Sequence, residues 1–160
     1  MGLDITYYKH LTPLTEGADP EDGFQPYDNP DFPGRMEGLE DRVYQMPEDR
    51  HHFRAGSYSG YNAWREELAE LAGYPLTEGD RGLRHDSGAW DATEGPFWEL
   101  INFADNEGTI GPVVSAKLAK DFAAYQEKAD THPSGHFRDL YAQWRIAFED
   151  AAQDGAVDFH

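Results

Sequence analysis

Residues 96–128 read PFWELINFADNEGTIGPVVSAKLAKDFAAYQEK, and their pattern predicts two helices joined by a polar loop. Pro96 suits the first position of a helix, and apolar residues follow it at helical spacing. Pro112 marks the start of the second helix, which has its own apolar face. The loop between the two helices is a candidate functional site because it places polar residues beside a helix N-terminus, namely Asp105, Asn106, Glu107 and Thr109.

Strand patterns dominate the part of the chain that precedes these helices. Residues 2–9, GLDITYYK, alternate in the manner of a half-buried strand, and residues 41–46 and 52–58 are predicted as two further short strands. Amphipathic helices are predicted over residues 61–71 and 135–153, and the tail AVDFH as an edge strand or a frayed end. Strands first and helices later indicate an α+β fold, with about four helices covering a small antiparallel sheet.

Two stretches lack a regular pattern and are predicted as loops. Residues 12–38 contain five prolines and many acidic residues, with no basic residue before Arg35. Because proline disfavours helices and interior strands, a long acidic surface loop is expected there, fastened by its aromatic residues. Residues 75–95 contain four glycines and are also expected to be a loop. No repeat or linker divides the chain, so residues 1–160 are predicted to form a single domain.

The composition narrows the range of possible functions. The chain has 31 acidic and 13 basic residues and a net charge of −18, which leaves few cations for direct binding of DNA or RNA. The absence of cysteine excludes disulfides, cysteine-ligated zinc and thiol nucleophiles. The apolar runs are too short to span a membrane, so a cytoplasmic protein without a membrane partner is expected. The acidic surface fits salt adaptation, docking on a basic partner, or cation binding by carboxylates.

The turn between Arg54 and Arg65 is the leading candidate for a ligand site. Its glycines and serines lead into a helix, where free backbone N–H groups and guanidinium groups suit a phosphate or a carboxylate. The residues expected to bind the ligand are Arg54, Ser57, Tyr58, Asn62, Arg65 and, from the next loop, Trp90. The glycine spacing matches neither a P-loop nor a dinucleotide fingerprint, so no cofactor is expected. Helix capping by Ser59 and ordinary ion pairs would explain the turn without a ligand.

A weaker catalytic interpretation draws on residues from several loops. His85 and Asp86 would form a general base with a carboxylate partner, and Asp105 and Glu107 would hold a divalent ion. None of the usual zinc-site spacings is present, and Glu107 would also stabilise a helix dipole without any catalytic role. Binding is therefore favoured over catalysis.

Four segments together resemble a family of proteins encoded by phages and prophages. They are MGLDIT at residues 1–6, RAGSYSGYNAWRE at 54–66, EGTIGPVVSAKLAKDF at 107–122 and GAVDFH at 155–160. The family carries no assigned chemistry, so the resemblance transfers no catalytic residue. It implies a small accessory protein that acts in the cytoplasm of the host cell, in host takeover or counter-defence.

These observations together predict a small acidic accessory protein that acts by binding. Its pocket is expected between the Arg54–Arg65 turn and the Asp105–Gly111 loop, and it would hold a small anionic or nucleotide-like ligand. The alternatives are an acidic inhibitor or nucleic-acid mimic that docks on a basic host protein, and a metal-dependent hydrolase.

Overall fold

The computed structural model describes residues 1–160 and has at its centre a four-stranded antiparallel sheet in the order β2-β1-β6-β5. A separate two-stranded hairpin is formed by β3 and β4. The strands are β1 (Gly2–Tyr8), β2 (His51–Ser57), β3 (Thr77–Gly79), β4 (Gly82–Arg84), β5 (Gly108–Ile110) and β6 (Ala156–Phe159). The α+β prediction is confirmed.

Six helices accompany the sheet, and the three longest match the predicted amphipathic segments. They are α1 (Tyr58–Leu71), α2 (His85–Asp91), α3 (Trp98–Ile101), α4 (Pro112–Ala124), α5 (Gln126–Asp130) and α6 (Gly135–Ala151). The helix expected after Pro96 is reduced to the four residues of α3, because Phe97 before it is left-handed with φ of 58° and Asn102 after it has a non-helical ψ of 63°. No helix combines the length and the apolar character needed to cross a membrane.

Several predicted strands and loops differ from the structure. Residues 41–46 do not form a strand, since only Tyr44 makes isolated bridges, to Pro13 and Phe24. The predicted loop at 75–95 contains the β3–β4 hairpin and α2, and the loop after Asp105 contains β5. The tail is an interior strand rather than an edge strand, because β6 pairs with β1 on one side and β5 on the other.

The helices pack on one face of the sheet around an aromatic core. Leu3 and Ile5 of β1 point into this core, as the period-two alternation of the strand requires. Trp144 of α6 lies at its centre, with its ring 5.1 Å from Phe53 of β2 and 5.9 Å from Trp64 of α1. Full burial of each such side chain contributes about 1.5–3 kcal/mol, so this core determines how the helices are placed.

The acidic loop folds back over the other face of the sheet instead of extending into solvent. Phe24 packs on Tyr8 of β1 with ring centroids 4.7 Å apart, in a second small core. Further along the loop, the backbone of Tyr27 pairs with Thr109 of β5. Arg35 is buried and donates hydrogen bonds to the carbonyl oxygens of Glu99 and Asn102. These contacts place residues 27–32 beside α1 and the segment after α3.

Candidate functional site

The largest cavity, which we name the first cleft, has a volume of about 560 Å³. It opens between α1, the folded-back loop, the β3–β4 hairpin and the segment that connects α3 to β5. Its lining combines four large aromatic rings with a majority of polar side chains: Tyr27, Asn29, Asp31, Phe32, Asn62, Arg65, Arg81, Trp90, Phe103, Ala104, Asp105, Asn106 and Glu107.

Arg65 forms the floor of the first cleft and holds the segment after α3 in place. Its side chain projects from α1, and Nη1 donates to the carbonyl oxygens of Ile101 at 3.1 Å and Phe103 at 2.7 Å. Nη2 donates to the side-chain oxygen of Asn62, one turn earlier on the same helix face. The guanidinium also lies over the Tyr61 ring, 4.7 Å from its centroid. Arg65 is thus buried, and three of its N–H donors are bonded to the protein itself.

Two asparagines fix the remaining backbone around the cleft. Asn62 donates from Nδ2 to Oδ2 of Asp105 at 3.1 Å, which links α1 to the α3–β5 segment. Asn29 donates to the carbonyl oxygen of Glu107 at 3.0 Å and accepts from the backbone N–H of Asp31. Both asparagines therefore join separate pieces of chain, so the polar wall is ordered before any ligand arrives.

Exposed aromatic rings lie at the sides of the first cleft. Tyr27 and Trp90 are 43% and 40% exposed, although large aromatic side chains usually bury most of their surface. The Trp90 indole is oriented by a hydrogen bond from Nε1 to the carbonyl oxygen of Ile101 at 3.2 Å. Arg81, in the turn between β3 and β4, lies over the Trp90 ring at 5.6 Å from its centroid.

The charges around the first cleft are mainly negative. Asp31, Asp105 and Glu107 contribute carboxylates, while the only cations in the lining are Arg65 and Arg81. Because Arg65 is buried and bonded to carbonyl oxygens, Arg81 is the cation that is more accessible to a ligand, and it also contacts Asp86 at 3.4 Å. The cleft thus offers hydrogen-bond acceptors and amides more than positive charge.

A second cavity, the second cleft, adjoins the first and has a volume of about 540 Å³. The two clefts share Tyr27, Asn106 and Glu107 as a common wall. The second cleft lies at the outer face of the sheet, where its other lining residues are Gln25, Tyr58, Gly108, Asp158, Phe159 and His160. Burial raises the pKa of Asp158 to about 7, and the hydrogen bond from Thr109 opposes that rise by a smaller amount.

The structure brings together some of the residues predicted to bind a ligand and separates others. Asn62, Arg65 and Trp90 line the first cleft, and Tyr58 lines the second. Arg54 lines neither, because it lies on β2 and pairs with Asp4 at 2.8 Å.

Ser57 also lies outside both clefts and caps α1 by accepting a hydrogen bond from the backbone N–H of Gly60. The turn that begins at Arg54 therefore serves helix capping and ion pairing, and only its C-terminal half reaches the cavities.

His85 and Asp86 do not form the base–carboxylate pair that a catalytic role requires. His85 donates from Nδ1 to the carbonyl oxygen of Tyr74 at 2.7 Å. Asp86 is 1% exposed, and its carboxylate accepts hydrogen bonds from Arg81 and Arg84. Neither residue lines the first or second cleft, so they are separated from Glu107, which lines both.

The predicted metal ligands have too few partners in the structure. Asp105 and Glu107 both line the first cleft, but Asp105 accepts a hydrogen bond from Asn62. No group of three or more histidine, aspartate or glutamate side chains is arranged to hold an ion anywhere in the chain. The hydrolase interpretation therefore has no catalytic cluster to support it.

Some lining residues were not identified from the sequence. Asn29 and Arg81 lie in segments predicted only as loops, and no local pattern distinguishes them. Asp158 did carry a signal, because it is a lone acid between the apolar residues Val157 and Phe159 in a short β-branched and aromatic run. In an interior strand, such an acid faces a partly buried sheet surface.

Comparison with known proteins gives no relative from which a role could be transferred. No protein-family model, no curated protein and no solved structure matches this chain. The functional conclusions therefore rest on the two clefts and their chemistry.

Proposed function

We propose that the protein acts by binding a small polar ligand with a flat ring in the first cleft. The observation that carries this proposal is the combination of exposed rings with a polar wall already fixed by hydrogen bonds. Tyr27 and Trp90 offer faces on which a ring stacks, and Asn29, Asn62 and Asp105 offer donors and acceptors at fixed positions. Pockets of a few hundred cubic ångströms with these properties are typical sites for small molecules.

The charge distribution favours the ring of a nucleotide-like ligand over its phosphate. Nucleobases present donors and acceptors along an edge and stack on aromatic side chains. A phosphate would meet three carboxylates, Asp31, Asp105 and Glu107, and only one cation that is not buried, Arg81. The anionic part of the sequence-based prediction thus receives less support than the nucleoside-like part. The phage-type, counter-defence context remains a prediction that rests on the resemblance alone.

Calorimetric titration of nucleosides and their 5′-monophosphates tests this proposal. We expect at least one nucleoside to bind more tightly than its monophosphate, because the added phosphate is repelled by the carboxylates. Trp90→Leu should weaken binding about tenfold or more, since stacking on one ring contributes about 1–3 kcal/mol. When the Trp90 indole is removed, the Ile101 carbonyl oxygen still accepts a hydrogen bond from Arg65, so the local fold is preserved.

Arg54→Ala is the matched control for the titration. Arg54 lies outside both clefts, so this change should leave the dissociation constants unaltered. Affinities that survive Trp90→Leu, or a panel in which nothing binds with a dissociation constant below 1 mM, would refute the proposal.

A second candidate function, docking on a basic host protein, is favoured by the acidic loop. Glu16, Asp19, Glu21 and Asp22 are all exposed, and none of them forms an ion pair. Surfaces of this kind accelerate association with a cationic partner and lose affinity as salt is added.

A pull-down from host lysate, repeated at rising salt, tests this alternative. The partner should be released as salt is raised. It should also be retained poorly by a quadruple variant in which Glu16 and Glu21 are replaced by Gln and Asp19 and Asp22 by Asn. Capture that is insensitive both to salt and to this quadruple substitution would exclude docking through the loop.

A further inference from the structure

Asp158 occupies an unusual position in the sheet. The strand register aligns His52 of β2, Thr6 of β1, Asp158 of β6 and Thr109 of β5 in one row across the outer face. Asp158 is therefore the only carboxyl in a row of otherwise uncharged or weakly basic side chains. The folded-back loop covers the neighbouring part of this face, where Tyr8 and Ala156 belong to the second small core, and leaves the end around Asp158 open as the second cleft.

The hydrogen bonds around Asp158 leave its charge without a partner. Thr109 Oγ1 accepts from the backbone N–H of Tyr27 at 2.9 Å, so its own proton is directed to Oδ1 of Asp158 at 3.2 Å. No other protein group donates to the carboxyl, and its second oxygen is not among the buried polar atoms that lack a partner. A mostly desolvated carboxylate with one hydroxyl donor is costly, and a cation from outside the protein would compensate that cost.

The groups that face Asp158 also favour a cation over an anion in the second cleft. The titratable side chains nearby are Glu107, just before β5, His160, just after β6, Tyr8 on β1, Tyr27 on the loop and Tyr58 on α1, with His52 of β2 further along the same row. No lysine or arginine lines the second cleft, although an anion site would require one. The His160 imidazole is held by Thr6, with Nε2 2.8 Å from Oγ1.

We propose that the second cleft binds the cationic group of a small organic ligand, an amine or an amidine, with Asp158 as the counter-charge. Glu107 adds a second carboxylate at the shared wall, and the rings of Tyr27 and Tyr58 offer faces that attract cations. The cavity of about 540 Å³ accommodates an aromatic amine with space remaining for water. This proposal goes beyond the function assigned to the first cleft and does not depend on it.

The proposal makes the affinity for a cation depend on pH in a defined direction. With a pKa of about 7 in the free protein, Asp158 is mostly protonated at pH 6 and mostly ionised at pH 8. A permanent cation binds the ionised form, so its affinity should rise about tenfold between these two values, in parallel with the ionised fraction.

The experiment is an amide-resolved NMR titration with benzylammonium, using benzyl alcohol as its neutral counterpart. Benzylammonium should shift the amide signals of residues 58, 107–109 and 158–160 and bind about tenfold more tightly at pH 8 than at pH 6. Benzyl alcohol should bind more weakly than benzylammonium at pH 8, with no dependence on pH. Asp158→Asn keeps the shape of the side chain and should remove both the preference for the cation and the pH dependence.

Two further variants separate Asp158 from His160 as the source of the pH dependence, and the second cleft from the first as the binding site. Histidine also changes its charge near neutral pH, so His160→Gln must retain the pH dependence if Asp158 is its source. Trp90→Leu, which alters only the first cleft, should leave benzylammonium binding unchanged. Asp158→Asn should likewise leave nucleoside binding in the first cleft intact, so each proposal can fail without the other.

The proposal is overturned if Asp158→Asn binds benzylammonium as tightly as the original protein does at pH 8. It is equally overturned if benzyl alcohol binds as well as the cation, or if the shifted signals lie outside the second cleft.

Discussion

Arg65 and Arg54 flank the same turn but differ in burial and in what they bond. Arg65 is 4% exposed and donates hydrogen bonds to two carbonyl oxygens. The Arg54 side chain is about half exposed, and it forms an ion pair with Asp4. A guanidinium that satisfies buried carbonyl oxygens is a structural element of the cleft floor. An exposed ion pair is screened by water and contributes little.

Replacing each arginine by methionine should therefore have very different effects on the free energy of unfolding. Arg65→Met should cost about 3 kcal/mol, because the Phe103 carbonyl oxygen loses a charged donor within a buried region. Arg54→Met should change stability by less than about 1 kcal/mol. Urea unfolding of both variants provides the measurement, and equal midpoints would contradict this assignment of roles.

Asp158 should make the stability of the protein depend on pH. Its pKa is raised on folding from 3.8 to about 7, so between these values the folded state holds a proton that the unfolded chain has released. Stability should consequently fall as the pH rises from 4 to 7, by at most about 4 kcal/mol, and stay low above pH 7.

Asp158→Asn has no such proton to lose and should be the more stable protein at pH 8. Thermal unfolding scans from pH 4 to 8 compare the two proteins, and the difference between their melting temperatures should shrink as the pH is lowered. A constant difference across this range would exclude Asp158 as the titrating group.

At the scale of elements, β6 depends on a glycine at its entrance. A β-carbon added to Gly155 would lie 1.9 Å from the carbonyl oxygen of Tyr8, at the point where β6 meets β1. Gly155→Ala should separate these strands and lower the melting temperature by roughly 10 °C, as expected for a loss of a few kcal/mol in a domain of this size.

Gly135→Ala is the matched control for this change. Its β-carbon would meet only Arg138 Nη2, at 3.6 Å, in the first turn of α6. Because alanine favours helix formation more than glycine, this control should be neutral or slightly stabilising. If both variants melt at the temperature of the original protein, the close approach of Gly155 to the Tyr8 backbone does not contribute to stability.

The elements that the sequence predicted well are those whose signal is repeated along many residues. The periodic apolar positions of α1, α4 and α6 identified these helices because each spans three or more turns. The strands β3, β4 and β5 have three residues each, too few for an alternation to be recognised. The helix after Pro96 was overestimated, because the spacing of its apolar residues does not show that Phe97 is left-handed or that Asn102 leaves the helical conformation.

The candidate site was likewise predicted in part, where local sequence carried the signal, and missed where distant strands had to pair. Asn62, Arg65, Trp90, Asp105 and Glu107 were named from sequence and line the first cleft, since the loops expected to flank it do meet. The local pattern around Asp158 marks a strand, but its place beside the second cleft depends on the pairing of β6 with β1 and β5, which are distant in sequence.

At the scale of the whole molecule, the net charge of −18 is spread over the surface. Asp86 is the only acidic residue that is almost fully buried, and ion pairs engage a minority of the 31 acids. Repulsion between these carboxylates opposes the compact state and is screened by salt.

The melting temperature should therefore rise by about 5 °C or more between 10 mM and 1 M sodium chloride, as the Debye length contracts from about 30 Å to about 3 Å. The quadruple loop variant described above, with four charges fewer, should show a smaller rise in the same calorimetric scans. A melting temperature that does not change with salt would mean that repulsion between the surface carboxylates does not destabilise the folded state.

The strand order β2-β1-β6-β5 also has a consequence for how the chain folds during synthesis. β6 lies between β1 and β5, so while residues 156–159 are still inside the ribosome, the sheet lacks its central connection. β1 and β6 are separated by about 150 residues, and contacts between such distant segments make folding slow. The nascent chain thus exposes the unpaired edges of β1 and β5 until residues 156–159 have left the ribosome, and in that interval a chaperone would be most effective.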